Sequence, residues 1–436
     1  MAGYILPPMN GAPLTSWIGQ LKSLPLPWAV MAVCTMAQFS CGLILQSASF
    51  AGPYIAQEWA VDDTMMGIVF SSVLAGLMAG YILLAPKADR IGHRRMIAWS
   101  LSAASLATLA ASLMPDALSF TLLRFLSGLA LGACIPSTIA LAAQRSGADI
   151  RGYVVLAIYC GFSLGFAAVG FAAGGLVEEQ GWRFLLQCAG LCALLTVLLV
   201  TLVRPDQRHA FSSAHHPVHI GSRVAALLQP GISNGTLLLW TAFTLNLALF
   251  YGLQSWMPTV LLDKGWTIEV IAQAAGLFAL GTTLAALVAG VAMAWFGRFR
   301  GLAILCSGAV LPVAAIGMIA PRENLLLYIA SVVAGIGVGG GQKGMTAAAA
   351  TFYGHTNRAS GLGWAMGVGR IGAIAGPLLI GVLHENGSSP SLIFVALALL
   401  LPLTAVTMLS LSHQFGDHSG SVDKPLPEKI RDVTGR

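Results

Sequence analysis

Charged side chains are scarce in this chain. Asp, Glu, Lys and Arg make up only 9% of its 436 residues, whereas 56% are hydrophobic, and the mean hydropathy is +0.79. Soluble globular domains carry about 25% charged residues. A surface this poor in charge excludes a soluble enzyme, a secreted disulfide scaffold and a disordered regulator. We therefore expect a polytopic membrane protein.

The chain also lacks the residue patterns that catalysis or metal binding would need. Its seven cysteines all fall in apolar stretches without CxxC or Cys/His spacing, so they predict packing residues rather than ligands. No Ser/His/Asp set, HExxH motif or carboxylate pair lies in the middle of an apolar stretch, which disfavours a membrane-embedded enzyme. We expect no metal and no cofactor. The 23 basic residues are spread too thinly for a nucleic-acid partner.

Twelve apolar stretches are long enough to cross a bilayer, because about 20 apolar residues span the hydrocarbon core. They lie at 28–55, 65–86, 96–114, 118–143, 152–177, 183–203, 236–261, 270–296, 301–320, 325–352, 359–383 and 390–412. A polar linker (204–235) separates a first half (28–203) from a second (236–412), and polar segments (1–27 and 413–436) flank them. The predicted fold is an all-α integral membrane protein with twelve transmembrane helices in two six-helix halves.

The distribution of Lys and Arg predicts the orientation of the spans. With both termini in the cytoplasm, 17 of the 23 basic residues fall on the cytoplasmic side, three on the opposite side and three inside spans. Cytoplasmic loops of membrane proteins carry such an excess of basic residues. We therefore expect a multi-pass protein of the cell (inner) membrane with both termini cytoplasmic.

The loops after the second and eighth spans resemble each other. The first reads Asp89-Arg-Ile-Gly92-His-Arg-Arg95, and the second reads Trp295-Phe-Gly297-Arg-Phe-Arg, so each places a glycine before a basic cluster. Two six-helix halves with matching loops are typical of secondary transporters, whose substrate site lies near the middle of the membrane between the halves.

These and other motifs resemble a known family. The run from Ala88 to Arg95 resembles the loop signature of the major facilitator superfamily, and several spans resemble its aromatic acid:proton symporter branch. The span motifs are Arg124-Phe-Leu-Ser-Gly, Gln254-Ser-Trp-Met-Pro258 and Gly367-Val-Gly-Arg370-Ile-Gly372. The resemblance, which covers about residues 28 to 410, implies the major facilitator fold and proton-coupled import of benzoate-type acids by alternating access.

The loop signature carries a further implication. In the resembling superfamily this loop latches the two halves in one state of the transport cycle, and the residues that match it here are Asp89, Arg90, Gly92, Arg94 and Arg95. The alternative is that these residues set topology only, because basic residues at a membrane surface also bind lipid phosphates.

Span 1 departs from the resembling branch. The branch pattern Asp-Gly-Phe-Asp-x-Gln aligns here with Cys41-Gly-Leu-Ile44-Leu-Gln46, so both carboxylates are absent. Proton coupling needs a group whose pKa is tuned towards neutral pH. Three alternatives therefore stay open: coupling through Lys343, uncoupled transport or export, and a non-transporting receptor on a transporter scaffold.

Three cations, Arg124, Lys343 and Arg370, lie inside spans, whereas all 17 acidic residues lie in loops or at helix ends. A charge at the centre of a span costs about 2.5 kcal/mol or more, so these cations predict a small organic anion as the substrate. Each also has a structural alternative, in which the head group bonds carbonyls or reaches the interface. Lys343 follows a glycine run, 337–341, that we expect to allow close packing and to loosen span 10.

Uncharged groups complete the predicted substrate site. Asn246, Phe250 and Gln254 are four residues apart and share one face of span 7. The other candidates are Gln46, Tyr159, Tyr251 and Gln342. Aromatic rings here would stack on a substrate ring, although packing alone also explains each residue. We expect a monomer whose partners are the organic anion, protons and the lipid bilayer.

Overall fold

A computed structural model describes residues 28–147, 151–202, 227–353 and 358–416, and these residues form helices and connecting turns without strands. The predicted N-terminal segment (1–27), most of the linker and almost all of the predicted tail lie outside the described residues. The predicted all-α fold is confirmed in the part of the chain that is described.

Twelve helical segments follow one another along the described chain. They are α1 (Trp28–Trp59), α2 (Asp63–Leu83), α3 (His93–Ala111), α4 (Ala117–Gln144), α5 (Arg151–Gln180), α6 (Trp182–Leu202), α7 (Ser233–Asp263), α8 (Ile268–Phe296), α9 (Arg298–Met318), α10 (Asn324–Phe352), α11 (Arg358–Glu385) and α12 (Pro390–Phe415). Single residues, Ala309 and Leu399, interrupt α9 and α12. A short helical stretch, Ala85–Ile91, joins α2 to α3.

The helices extend a few residues beyond several of the predicted spans. For example, α1 ends at Trp59 rather than at residue 55, and α12 continues to Phe415 rather than ending at residue 412. Among the described residues, eleven helices are long and apolar enough to cross a membrane. The remaining segment, α3, begins with His93-Arg-Arg and is 19 residues long, so its polar start lowers its apolar content.

Two helix pairs in the first half are in backbone contact at glycines. Gly76 of α2 faces the Phe125 carbonyl of α4, and Gly165 of α5 faces the Phe39 carbonyl of α1, at distances that leave no room for a Cβ atom. Close approach of this kind is the usual reason for small residues between membrane helices, because it lets the backbones make van der Waals contact.

The second half repeats both pairings. Gly335 of α10 faces the Phe278 carbonyl of α8, and Gly372 of α11 faces the Thr244 carbonyl of α7, again without room for a Cβ atom. The pair α8–α10 thus corresponds to α2–α4, and the pair α7–α11 corresponds to α1–α5. The internal repeat that was predicted from two loops therefore extends to the packing of the helices.

The two halves contact each other mainly at one end of the bundle, which we call the Asp63 end; the opposite end is the Asp89 end. Towards the Asp63 end, α2 packs on α11, where Gly67 faces the Pro377 carbonyl, and α5 packs on α8, where Gly170 faces Gly276. Ser71 donates a hydrogen bond to the Ile374 carbonyl (2.7 Å), and the Thr64 amide donates to Glu385 (3.1 Å). Helices α1 and α7 meet at intermediate depth.

Candidate functional site

Arg370 lies between the two halves near the middle of α11. Its side chain is buried, and it donates hydrogen bonds to the hydroxyls of Tyr251 (3.0 Å) and Tyr81 (3.4 Å), which belong to opposite halves. Its guanidinium carbon also lies 5.2 and 5.8 Å from the centres of the Tyr81 and Tyr251 rings. Tyr159 of α5 lies within electrostatic range of it. A cation held by neutral hydroxyls and ring faces keeps its charge available to an anion.

Arg370 has no carboxylate partner among the described residues. Described acidic residues occupy helix ends and loops, as the sequence predicted. The site therefore contains an uncompensated buried charge, which is costly unless a ligand or a set of dipoles balances it. Tyr81 was absent from the predicted site, because a tyrosine near the end of an apolar span gives no distinct pattern in the sequence.

Gln46 of α1 and Gln254 of α7 form a buried amide pair across the interface between the halves. The Gln254 Nε2 donates to Gln46 Oε1 (3.1 Å), and the Gln46 Nε2 donates to the Gln254 backbone carbonyl (3.4 Å). Each side chain is buried. The structure thus brings together two candidates that lie 208 positions apart in the chain.

Phe250 lies in an aromatic cluster that also joins the two halves. Its ring centre lies 6.4 Å from that of Phe166 in the first half, and 6.2 and 5.0 Å from those of Phe278 and Tyr251 in the second. The contacts with Phe166 and Tyr251 are edge-to-face, a geometry that aromatic pairs favour. An aromatic wall therefore adjoins the Arg370 cluster through Tyr251.

Lys343 and its neighbours occupy the α7–α8–α10 side of the second half. The Lys343 ammonium donates to the Thr282 carbonyl of α8. Asn246 Nδ2 donates to the Val338 carbonyl of α10 (3.4 Å), and Gln342 is half-buried. The prediction that the glycine run loosens this helix was wrong, because α10 continues unbroken from Asn324 to Phe352. Neighbouring helices pack closely on the run and support it.

Arg124 is almost fully buried in the first half, with 1% of its side chain exposed. Its Nη1 and Nη2 atoms donate to the carbonyls of Ile44 (2.9 Å) and Leu45 (3.2 Å) in α1. These two bonds match the structural alternative predicted from the sequence, in which the Arg124 head group bonds backbone carbonyls. In the described part of the chain, its Nε atom has no hydrogen-bond partner.

A charged cluster that the sequence did not reveal joins the halves at the Asp63 end. Nδ1 of His384 lies 2.8 Å from Asp63 of the first half, and its Nε2 lies 3.0 Å from Asp263 of the second. An ionised carboxylate only accepts hydrogen bonds, so a histidine bonded to two of them donates from both nitrogens and is positively charged. Next to this cluster, Phe70 of α2 contacts Trp256 of α7 edge-on, with ring centres 5.4 Å apart.

The predicted latch loop lies at the Asp89 end, where Asp89 and Arg94 contact residues of their own half. Asp89 has 81% of its side chain exposed and lies 3.6 Å from His93. Arg94 donates to the carbonyls of Val200 (3.2 Å) and Thr201 (2.7 Å) of α6. Arg90 and Arg95 are exposed. Gly92 directly precedes α3 and has a positive φ of 96°, a conformation that favours glycine. A latch between the halves remains a prediction for another conformation.

Comparisons with known proteins agree with this architecture. The family model described as Major Facilitator Superfamily matches residues 32–339. The 4-hydroxybenzoate transporter PcaK of Acinetobacter baylyi is 30% identical to this chain over 92% of each sequence. The 3-(3-hydroxy-phenyl)propionate transporter of Escherichia coli K12 is 32% identical, over 85% of this chain and 93% of its own length.

Solved structures support the same fold at much lower identity. A D-xylose-proton symporter superposes with a TM-score of 0.73 and 13% identity, covering 87% of this chain and 97% of its own. The inward open xylose transporter XylE of E. coli gives a TM-score of 0.70 and 15% identity over 93% and 99%. The predicted fold and the resemblance to aromatic acid transporters are both confirmed, and a transporter rather than an enzyme is indicated.

Proposed function

Because the chain belongs to the major facilitator superfamily, we propose that it carries a small aromatic carboxylate across the inner membrane by alternating access. The observation that carries this proposal is Arg370, a buried cation near mid-depth that contacts one tyrosine from each half. Arg370 lies 15 residues before Glu385, the last residue of α11, which corresponds to about 22 Å of helix rise. A ligand bound there lies between the halves, where transporters hold their substrates.

The chemistry of the Arg370 cluster favours a carboxylate. The guanidinium presents two parallel N–H groups that match the two oxygens of a carboxylate. In the absence of substrate these groups bond to the hydroxyls of Tyr81 and Tyr251, which are weaker neutral acceptors. A carboxylate that replaces one or both hydroxyls supplies the missing negative charge beside the buried guanidinium.

The aromatic wall favours a substrate with a ring. Phe166 and Phe250 approach each other from opposite halves, and Tyr251 connects them to Arg370. An aromatic ring attached to the bound carboxylate has edge and face contacts available here. The names of the relatives, which include transporters of 4-hydroxybenzoate and of 3-(3-hydroxy-phenyl)propionate, support this class of substrate.

Contacts at the Asp63 end and the exposed loop at the Asp89 end support an inward-facing conformation. In this proposal the Asp89 end faces the cytoplasm, together with both termini, because the loops at that end hold most of the basic residues. The His384 cluster and the Phe70–Trp256 contact then close the outer side. The latch residues Asp89, Arg90, Gly92, Arg94 and Arg95 act in the opposite, outward-facing state.

Proton coupling, if present, uses a different group from the one that the family resemblance implies. Cys41 and Ile44, which stand where the resembling branch has acids, are both fully buried, and described acidic residues avoid the middle of the helices. We propose that α1 carries no proton in this protein. Transport is then either uncoupled or coupled through Lys343, a half-buried amine that could release a proton when the anion leaves.

Transport into proteoliposomes tests the proposed function. Purified protein is reconstituted, and uptake of radiolabelled benzoate, hydroxybenzoates, aliphatic carboxylates and xylose is measured with and without an imposed pH gradient. We expect saturable uptake of aromatic carboxylates and none of xylose. A receptor on a transporter scaffold would bind the acids without uptake, and uptake of aliphatic acids at equal rates would contradict the aromatic site.

The position of the missing acids gives a second test. Cys41→Asp places a carboxylate where the resembling branch has one, and we expect it to introduce or increase dependence of uptake on pH. Cys41→Ser serves as the control, because it changes the thiol without adding a titratable acid. Equal pH profiles for the wild type and both variants would show that α1 has no part in coupling even with an acid present.

A further inference from the structure

We propose that the small cavity beside Gln254 binds a hydroxyl group on the ring of the substrate, so that this protein prefers hydroxylated aromatic carboxylates to unsubstituted ones. This inference rests on the proposed function, in which the carboxylate group binds Arg370. Gln254 and Arg124 then bind the ring hydroxyl, at the end of the same substrate opposite to the carboxylate.

The cavity lies at the interface between the halves, towards the Asp63 end from Arg370. Its volume is about 10 Å³, which corresponds to about one water molecule. Gln46, Phe70, Arg124 and Phe166 line it from the first half, and Tyr251 and Gln254 line it from the second. A single oxygen atom therefore fits it, whereas a carboxylate or a second ring does not.

Two buried polar atoms of the lining lack hydrogen-bond partners among the described residues. Nε of Arg124 is a donor and Oε1 of Gln254 is an acceptor, and these side chains are only 1% and 4% exposed. The remaining polar atoms of both side chains are bonded to protein groups. A hydroxyl group both donates and accepts a hydrogen bond, so a hydroxyl in this cavity is the group whose chemistry complements both atoms.

Tyr251 connects the cavity to the carboxylate site. Its hydroxyl accepts from Arg370, and its side chain also lines the cavity. Gln254 follows Tyr251 by three residues on α7, which is about 4.5 Å of helix rise. In this proposal, a substrate whose carboxylate is on Arg370 directs the far side of its ring along Tyr251 towards Gln254. The small volume of the cavity, about 10 Å³, excludes a bulky substituent such as a second carboxylate from this side of the ring.

The expected selectivity follows from the two unpaired atoms. An unsubstituted ring leaves the Arg124 donor and the Gln254 acceptor buried without partners, and sites built to bond a hydroxyl reject analogues that lack it. The substituent must also lie at the ring position that reaches the cavity, so the isomers of a monohydroxylated acid should differ in affinity.

The test is the ratio of affinities for hydroxylated and unsubstituted acids, measured by calorimetry on the purified full-length protein. The ligands are benzoate and its 2-, 3- and 4-hydroxy derivatives. For the wild type we expect at least one hydroxy acid to bind at least tenfold more tightly than benzoate. Gln254→Met, which has nearly the same volume without the acceptor, should reduce this ratio to about one.

Matched variants separate recognition from folding. Gln38→Met removes another buried amide of the first half, bonded to the Ile135 carbonyl and Thr138, and should keep the wild-type ratio. Gln254→Asn, which retains an amide but shortens it, should give an intermediate ratio and replaces the first variant if Gln254→Met fails to fold.

Each outcome decides the proposal. A wild type that binds benzoate and all hydroxy acids equally would show that the cavity holds water only, and would overturn it. A hydroxyl preference that Gln254→Met leaves intact would also overturn it. If no aromatic carboxylate binds, the proposed function fails together with this inference, whereas benzoate binding that depends on Arg370 without any hydroxyl preference leaves the proposed function standing and this inference refuted.

Discussion

Replacement of Arg370 is the most direct perturbation of the proposed carboxylate site. Arg370→Gln keeps a polar side chain but ends where the arginine Nε lies, short of the Nη atoms that donate to the hydroxyls of Tyr81 and Tyr251 at 3.4 and 3.0 Å. The variant removes the charge and the paired N–H groups. Arg370→Lys keeps the charge but presents a single point of contact instead of a planar fork.

The size of the effect follows from the bonds that are exchanged. A hydrogen bond to a charged group contributes about 1.5–3 kcal/mol, and a bidentate contact makes two. The wild type gives up two weaker bonds to tyrosine hydroxyls when the substrate binds, so we expect a net loss of about 3 kcal/mol in Arg370→Gln. At 1.4 kcal/mol per factor of ten, this loss corresponds to roughly a hundredfold weaker binding. Arg370→Lys should lose about tenfold, because the charge remains.

Isothermal titration calorimetry with benzoate on purified protein measures these affinities. Arg183→Gln is the matched control, because Arg183 forms an ion pair with Glu58 (2.6 Å) near the Asp63 end, away from the site, and should bind benzoate as the wild type does. Thermal unfolding of each variant checks that it is folded. Binding by Arg370→Gln within threefold of the wild type would refute the assignment of the carboxylate to this residue.

Three further variants test other parts of the site. Lys343→Met should weaken binding of the aromatic acid at least tenfold in calorimetry, since the bond to α8 uses only one of its three donors; unchanged affinity would leave Lys343 as a tether between helices. Asp89→Asn should leave affinity intact but slow uptake into proteoliposomes, and a normal rate would limit the loop to topology. His384→Gln removes the cation between Asp63 and Asp263, so spin-label distances across the Asp63 end should lengthen, and an unchanged distribution would contradict its role in closing that end.

The spans were predictable from the sequence because the bilayer requires long apolar segments and tolerates charge only at a cost. The same cost singled out Arg370 and Lys343 before any contact was known. The internal repeat was visible in the loops at Gly92 and Gly297, both of which have a positive φ in the structure. Each of these features can be recognised from a single residue or segment, without knowing which residues it contacts in the fold.

The partners of buried side chains were not predictable in this way. Arg124 and Arg370 look alike in the sequence, yet two nitrogens of Arg124 bond carbonyls of α1 whereas Arg370 bonds tyrosine hydroxyls from both halves. The difference depends on the rotation of each helix about its axis, which is set by packing against neighbours. His384 shows the same limit, because its two carboxylates come from helices that are distant in sequence.

The glycine contacts within each half determine how binding energy is transmitted. At Gly76 and Gly335, backbone meets backbone across a helix pair with no side chains between them, so these layers contain no rotatable groups that could absorb a displacement. A ligand that displaces Arg370 therefore moves α11 together with α7, because α11 is packed against α7 at Gly372. We therefore expect each half to move as a rigid body. Ligand binding then changes the packing at the interface between the halves rather than deforming either half.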